Sequence, residues 1–143
     1  MAFVLLLFGY IFWQAFDLWL GQRRVEKTAE AWRRAEQELY QMQLADTYGG
    51  KTPQETLRMY IEAVEKGDYE LASKYFIGAN QKKELSGFIS ADVNKKAVYV
   101  TILKQLLPGT NNNGDDNYYM QAHLDGPDFY ARFKQYPNGI WKI

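Results

Sequence analysis

The chain has 143 residues, which suits one small domain with an appendage. Its 17 basic and 17 acidic side chains cancel, so we do not expect a nucleic-acid partner, which would require a cationic excess. The chain has no cysteine and one histidine. Disulfides, thiolate metal sites, a cysteine nucleophile and a multi-histidine metal centre are therefore excluded, and we expect neither a metal nor a cofactor.

The first 21 residues form an apolar segment. Residues 2–20 contain one formally charged side chain, Asp17, and all basic residues follow Gly21. A helix of this length nearly crosses a hydrocarbon core of ~30 Å. A cleaved signal peptide is disfavoured, because no basic residue precedes the segment and bulky residues stand where a peptidase needs small ones. The sequence predicts a single-pass transmembrane signal anchor over residues 1–21 of an inner-membrane protein.

Residues 22–50 are predicted to form a helical stalk and a hinge. The stalk is free of Gly and Pro up to Thr47, and Tyr48-Gly49-Gly50 then breaks the helix. Apolar and small residues recur at alternating spacings of three and four, as in the a and d positions of a coiled coil. This pattern fits an oligomer or partner-helix stripe. An amphipathic helix lying on its own domain, or a simple spacer, is slightly favoured, because Thr28 and Ala35 are weak core residues. The stripe consists of Val25, Thr28, Trp32, Ala35, Leu39 and Met42.

Residues 51–143 have the pattern of a globular α+β head. Thr52 to Glu55 form a capping box with proline at the first helical position, and Gly67-Asp68 separates this helix from a second one. Asn80 is a candidate cap for a third helix. A fourth helix, starting near Asp92, competes with a strand over residues 98–103, and we favour the helix.

The end of the chain alternates apolar and polar residues. This period of two predicts strands near residues 118–124, 129–136 and 140–143, joined by turns at residues 125–128 and 137–139. The polar loop at residues 110–117 lacks the acidic spacing of a calcium loop. The predicted fold is α+β: a transmembrane helix that continues into a stalk, then a helical layer on an antiparallel sheet of about three C-terminal strands.

Two stretches of the head resemble nuclear transport factor 2-like (cystatin-like cone) domains. One is the pair of helices around Gly67-Asp68, which ends in the aromatic pair Tyr75-Phe76, and the other is the closing segment Asn138 to Ile143. The resemblance implies that fold and, as in many membrane-anchored bacterial proteins of this kind, an extracytoplasmic head. Arg23 and Arg24 directly after the anchor favour a cytoplasmic head instead, so the orientation stays open.

No phosphate loop, serine elbow, metal-binding helix or catalytic carboxylate pair is found, so we predict no catalytic residues. Outward positions of the predicted strands offer a ligand or partner patch of aromatic and basic groups, namely Tyr119, His123, Tyr130 and Arg132. The oligomer stripe is represented by its large members, Val25, Trp32, Leu39 and Met42.

These features favour a membrane-anchored, non-catalytic binding or assembly module of the bacterial cell envelope. Its expected partners are the membrane and either another protein or a second copy of the chain, through the N-terminal helix. A pilin-like filament subunit with a long N-terminal helix is one alternative, although Leu5 occupies the place of the glutamate typical of that class. A small-ligand-binding or lyase/isomerase-type pocket enzyme is another.

Overall fold

The computed structural model describes the backbone of residues 2–108, 116–123 and 128–143, and the side chains of Trp13 and of residues 25–106, 116–123 and 128–143. The chain forms two compact units, Met1–Met42 and Gln43–Ile143. Its helices are α1 (Ala2–Ala45), α2 (Pro53–Glu65), α3 (Tyr69–Lys74), α4 (Gly78–Ser90) and α5 (Val93–Lys104). Its strands are β1 (Leu107–Pro108), β2 (Asn117–Ala122), β3 (Phe129–Gln135) and β4 (Trp141–Lys142).

Helix α1 has 44 residues, a length of about 66 Å at 1.5 Å per residue. Its backbone is continuous through the segments predicted as anchor and stalk. In the part of the chain whose side chains are described, no helix is long and apolar enough to cross a membrane. Apart from Trp13, the side chains of the predicted anchor lie outside that part.

Helices α2 and α3 begin where their capping residues predict. The Thr52 hydroxyl accepts a hydrogen bond from the Glu55 backbone N–H at 3.1 Å, and the Asp68 carboxylate accepts one from the Leu71 N–H at 3.0 Å. Gly67 has φ of +76°, a conformation that a residue without Cβ adopts at little cost. The predicted helix–Gly-Asp–helix arrangement is therefore confirmed.

The predicted cap of α4 is wrong, and the predicted cap of α5 is confirmed. Asn80 does not cap α4, because its backbone N–H already bonds the carbonyl of Ile77 at 2.7 Å and the helix begins at Gly78. Asp92 does cap α5, accepting from the Lys95 N–H at 2.8 Å. Residues 98–103 lie within α5, so the helical alternative is the right one.

The sheet is antiparallel, with strand order β1-β2-β3-β4. Three strands lie where period-two alternation predicts them, and the protein is α+β. Strand β1 was not predicted, because Pro108 looks like a helix terminator. Proline lacks an N–H and is tolerated on an edge strand such as β1. The turn over residues 137–139 is present, with Gly139 at φ +87°. Most of the predicted loop (110–117) and turn (125–128) lies outside the described residues.

The core lies between the helices and one face of the sheet. It contains apolar side chains from α2, α4 and α5 together with alternate residues of β2 and β3, among them the fully buried Tyr60, Met120 and Phe133. Opposite-face residues of the same strands are more exposed. One sheet face therefore holds the helices, as an amphipathic antiparallel sheet requires.

The segment predicted as a hinge is fixed to the head. The Trp141 N–H donates to the Gly50 carbonyl at 2.9 Å, and the Gly50 N–H donates to the buried Thr56 hydroxyl at 2.9 Å. A Cβ on Gly49 would lie 2.4 Å from the Trp141 carbonyl oxygen, and one on Gly50 would lie 2.7 Å from Glu55 Cβ. The two glycines thus allow close backbone packing, where we had expected free rotation.

The buried side chain of Lys142 forms hydrogen bonds to the same segment. Its side chain is fully buried, and its ammonium donates to the Asp46 carboxylate at 2.7 Å and to the backbone carbonyls of Tyr48 and Lys74 at 2.7 and 2.5 Å. Nearby, the Asn138 amide donates to the carbonyls of Leu44 and Asp46 at the end of α1. Residues 43–50 are therefore part of the head.

Candidate functional site

The four residues of the predicted patch share the outer face of the sheet. In the register of β2 and β3, Tyr119 pairs with Arg132 and Gln121 pairs with Tyr130. His123 follows β2 and contacts Asp128, the residue before β3. The side chains of Met120, Ala122 and Ala131 lie on the opposite, buried face. Side-chain alternation therefore brings the predicted patch together.

Two residues that the sequence analysis did not single out organise this patch. One oxygen of Asp128 lies 3.0 Å from His123 Nδ1, and the other accepts from the Tyr130 hydroxyl at 3.2 Å. The Asn117 amide oxygen accepts from Nε and Nη2 of Arg132 at 3.1 and 2.9 Å. The sequence predicts Asp128 only as a turn residue. Its spacing of two residues from Tyr130 indicates that both side chains lie on one face of the sheet.

The patch is an open surface. The His123 side chain is 67% exposed and that of its partner Asp128 is 37% exposed, so water screens their interaction. The Asp128 carboxylate raises the pKa of Tyr130 by accepting its hydroxyl proton in a hydrogen bond. An exposed set of ring, imidazole and guanidinium groups held by hydrogen bonds is suited to contact with a polar partner.

A cavity of about 230 Å³ lies between the helices and β3. Its apolar wall includes Leu57, Phe76 and Leu103, and the hydroxyl-bearing rings of Tyr60 and Tyr99 complete the helical side. Residues 129–132 of β3 form the opposite wall. Tyr130 and Arg132 border this cavity although their side chains are on the outer face, whereas Tyr119 and His123 do not line it.

Tyr60, Glu84 and Tyr99 form a polar cluster at the meeting of α2, α4 and α5. The Tyr60 hydroxyl donates to Glu84 Oε1 at 2.6 Å and lies 3.3 Å from the Tyr99 hydroxyl. Burial is the main cause of two raised pKa values. The pKa of Tyr60 lies far above its usual value, and that of Tyr99 is raised to about 12. Both phenols are therefore protonated at neutral pH and act as hydrogen-bond groups. No short-range pattern reveals this cluster, because its other two members are 24 and 39 residues from Tyr60.

The large members of the predicted oligomer stripe are all exposed. The exposed fractions are 68% for Val25, 77% for Trp32, 51% for Leu39 and 63% for Met42. Such a row of apolar side chains on one helix is unusual for a surface that faces only water. It provides a second candidate for binding.

Among the described residues, no group of three or more metal-ligating side chains is placed to hold a metal ion.

A comparison of the chain with family models, curated proteins and solved structures finds no match. The candidate sites therefore stand on their own geometry.

Proposed function

We propose that this chain is a membrane-anchored binding or assembly module of the bacterial cell envelope, with a head that resembles nuclear transport factor 2. The observation that carries the proposal is the exposed apolar stripe of α1, which offers a binding surface without any reacting group. The continuous backbone of α1 supports the placement, since it joins the apolar residues 2–20 to the stripe and the head without a break.

The fixed junction at the end of α1 also supports this role. Asn138 bonds the carbonyls of Leu44 and Asp46, and the buried Lys142 ammonium bonds the Asp46 carboxylate. Within the head, the residues at the end of α1 are therefore bonded to β4 and to the turn before it. Such bonding suits a module that presents its head from the end of a helix.

The membrane placement is tested with single cysteines, because the native chain has none. Trp13→Cys in the full chain is expected to react with a polar maleimide only after detergent is added, because lipid shields the thiol. Lys83→Cys, at an exposed position of the head, is the matched control and is expected to react without detergent. Release of the protein from membranes by alkaline carbonate, or labelling of Trp13→Cys without detergent, would contradict the anchor.

The same Lys83→Cys variant determines the orientation. Labelling in intact cells by a reagent that does not cross membranes places the head outside the cytoplasm, as the family resemblance implies. Labelling only after the cells are opened places it inside, as Arg23 and Arg24 imply by the positive-inside rule.

Binding of a small ligand in the cavity is a second candidate function. The cavity has apolar walls and the phenol groups of Tyr60 and Tyr99, and residues 129–132 of β3 close its other side. Apolar walls with a few polar groups are typical of ligand sites. A thermal-shift screen of the full chain in detergent is expected to give a ligand whose stabilisation is lost in Tyr99→Phe and kept in Tyr119→Phe, because Tyr119 does not line the cavity.

A further inference from the structure

We infer that the α1 stripe binds a second copy of this chain, forming a parallel, in-register two-stranded coiled coil over residues 25–42. The inference deepens the proposed assembly function and takes its parallel orientation from the proposed anchor. Two helices whose N-terminal segments lie in one membrane must run in the same direction. In an antiparallel pair, the two anchors would lie at opposite ends of the coiled coil.

The distribution of charge along α1 leaves the stripe free for a like helix. The stripe residues hold heptad positions a and d, and the ion pair between Arg34 and Glu30 lies at the outer positions c and f. In the parallel register, Ala31 lies beside Glu36 of the partner copy and Glu38 lies beside Gln43 of the partner copy. No like charges face each other in these two pairs, so charge does not oppose self-association.

The side chains of the stripe also suit a seam between two helices. Trp32 is followed at the next core position by Ala35. The small Ala35 side chains of the two copies leave space for the two Trp32 indole rings. The Thr28 hydroxyl donates to the Val25 carbonyl of its own helix at 2.8 Å. Burying Thr28 against the partner copy therefore leaves its hydroxyl bonded, and its methyl group available for packing.

A seam of about three heptads is short, and most of its stability must come from burial of the large side chains. Anchoring in one membrane raises the effective concentration of the two helices, which favours association without additional contacts. We therefore expect the dimer in membranes and in mild detergent at high protein-to-detergent ratio, with dissociation on dilution.

Disulfide formation in single-cysteine variants of the full chain tests the inference. Leu39→Cys places a thiol at a core position, where a parallel in-register pair brings the two copies within disulfide distance. Gln37→Cys, on the opposite side of the same turn, is the matched control. With mild oxidant in membranes, Leu39→Cys is expected to give a covalent dimer at least about tenfold faster than Gln37→Cys.

Equal rates for Leu39→Cys and Gln37→Cys, or no dimer from either, would overturn the inference. An antiparallel pair would overturn the orientation, and it would appear as cross-linking between Leu39→Cys and Thr28→Cys copies that exceeds the self-linking of each. Adding Trp32→Glu to Leu39→Cys is expected to suppress the covalent dimer, while Trp32→Leu is expected to keep it, because only the glutamate places a charge in the seam.

The outcome is separate from that of the proposed function. Protein that resists carbonate extraction but does not cross-link refutes self-association and leaves the anchor. Protein that cross-links but is released by carbonate refutes the anchor and leaves the coiled coil.

Discussion

Lys142 carries its charge into a site that water does not reach, and three oxygen atoms surround its ammonium. Burial lowers the pKa of Lys142, while the neighbouring Asp46 carboxylate opposes that shift. Each ammonium hydrogen has an acceptor, two of them backbone carbonyls from different parts of the head. The residue therefore fixes the segment after α1 and the end of α3 to β4.

Replacing Lys142 by methionine is expected to lower the free energy of unfolding by about 3 kcal/mol, because the Asp46 carboxylate and two carbonyls lose their donor. Chemical denaturation measures the change. Lys83→Met, at an exposed position, is the control and is expected to change stability by less than about 0.5 kcal/mol. Equal effects of the two substitutions would show that the buried ammonium is not a structural tie.

Two glycines provide a second comparison at the residue scale. A Cβ on Gly50 would lie 2.8 Å from the Thr56 backbone nitrogen, whereas a Cβ on Gly87 would have nothing within 4 Å. Gly50→Ala is expected to destabilise the protein by about 1–3 kcal/mol through displacement of the backbone. Gly87→Ala, inside α4, is expected to stabilise it by about 0.5–1 kcal/mol because alanine favours the helix. Thermal unfolding of both variants checks the opposite signs.

At the scale of elements, the polar cluster connects three helices. Tyr60 of α2, Glu84 of α4 and Tyr99 of α5 form hydrogen bonds inside an aromatic group that includes Phe88. Burial keeps both phenols protonated to high pH, so the cluster remains intact across the physiological range. Ionisation of these phenols is therefore expected to affect stability in strong alkali.

The contribution of Tyr99 to stability depends on pH. Its folded-state pKa of about 12 lies above the usual 10.0, so between these values the folded state holds a proton that the unfolded state has lost. The contribution is fully present below pH 10 and is lost as pH rises through 12, by up to about 3 kcal/mol. Denaturant titrations from pH 9 to 12 are expected to show a shallower decline for Tyr99→Phe than for the native chain and for Tyr119→Phe. Parallel declines in all three proteins would contradict this assignment.

At the scale of the whole molecule, the division between units falls inside α1, between Met42 and Gln43. The last residues of α1 and the following segment belong with the head because Asn138, Lys142 and Trp141 bond them. The glycine pair, which suggested a boundary at residue 50, marks a place of close packing instead.

A head fragment of residues 43–143 is therefore expected to be more stable than one of residues 51–143. The shorter fragment loses the Asp46 carboxylate, the Gly50–Trp141 pairing and the acceptors of Asn138, and it leaves the Lys142 ammonium partly unbonded. The expected loss is about 3 kcal/mol or more, by the same reasoning as for a broken buried ion pair. Equal midpoints of urea unfolding would show that residues 43–50 are only a tether.

Local sequence determined much of this protein. Capping residues such as Thr52, Asp68 and Asp92 placed the starts of three helices, and period-two alternation placed β2, β3 and β4, because both depend on neighbours within a few residues. Alternation also placed Tyr119, His123, Tyr130 and Arg132 on one face. Heptad spacing identified the stripe of α1, whose large side chains are exposed in the structure.

Only the tertiary structure decided which distant groups meet. The bonds from Lys142 to Asp46, from Tyr60 to Glu84 and from Gly50 to Trp141 join residues that no short-range pattern relates. It also decided that Gly49 and Gly50 are sites of close packing, because a residue without Cβ is equally suited to a flexible hinge and to a tight contact. The sequence shows that the side chain is missing, and the fold shows what fills the space.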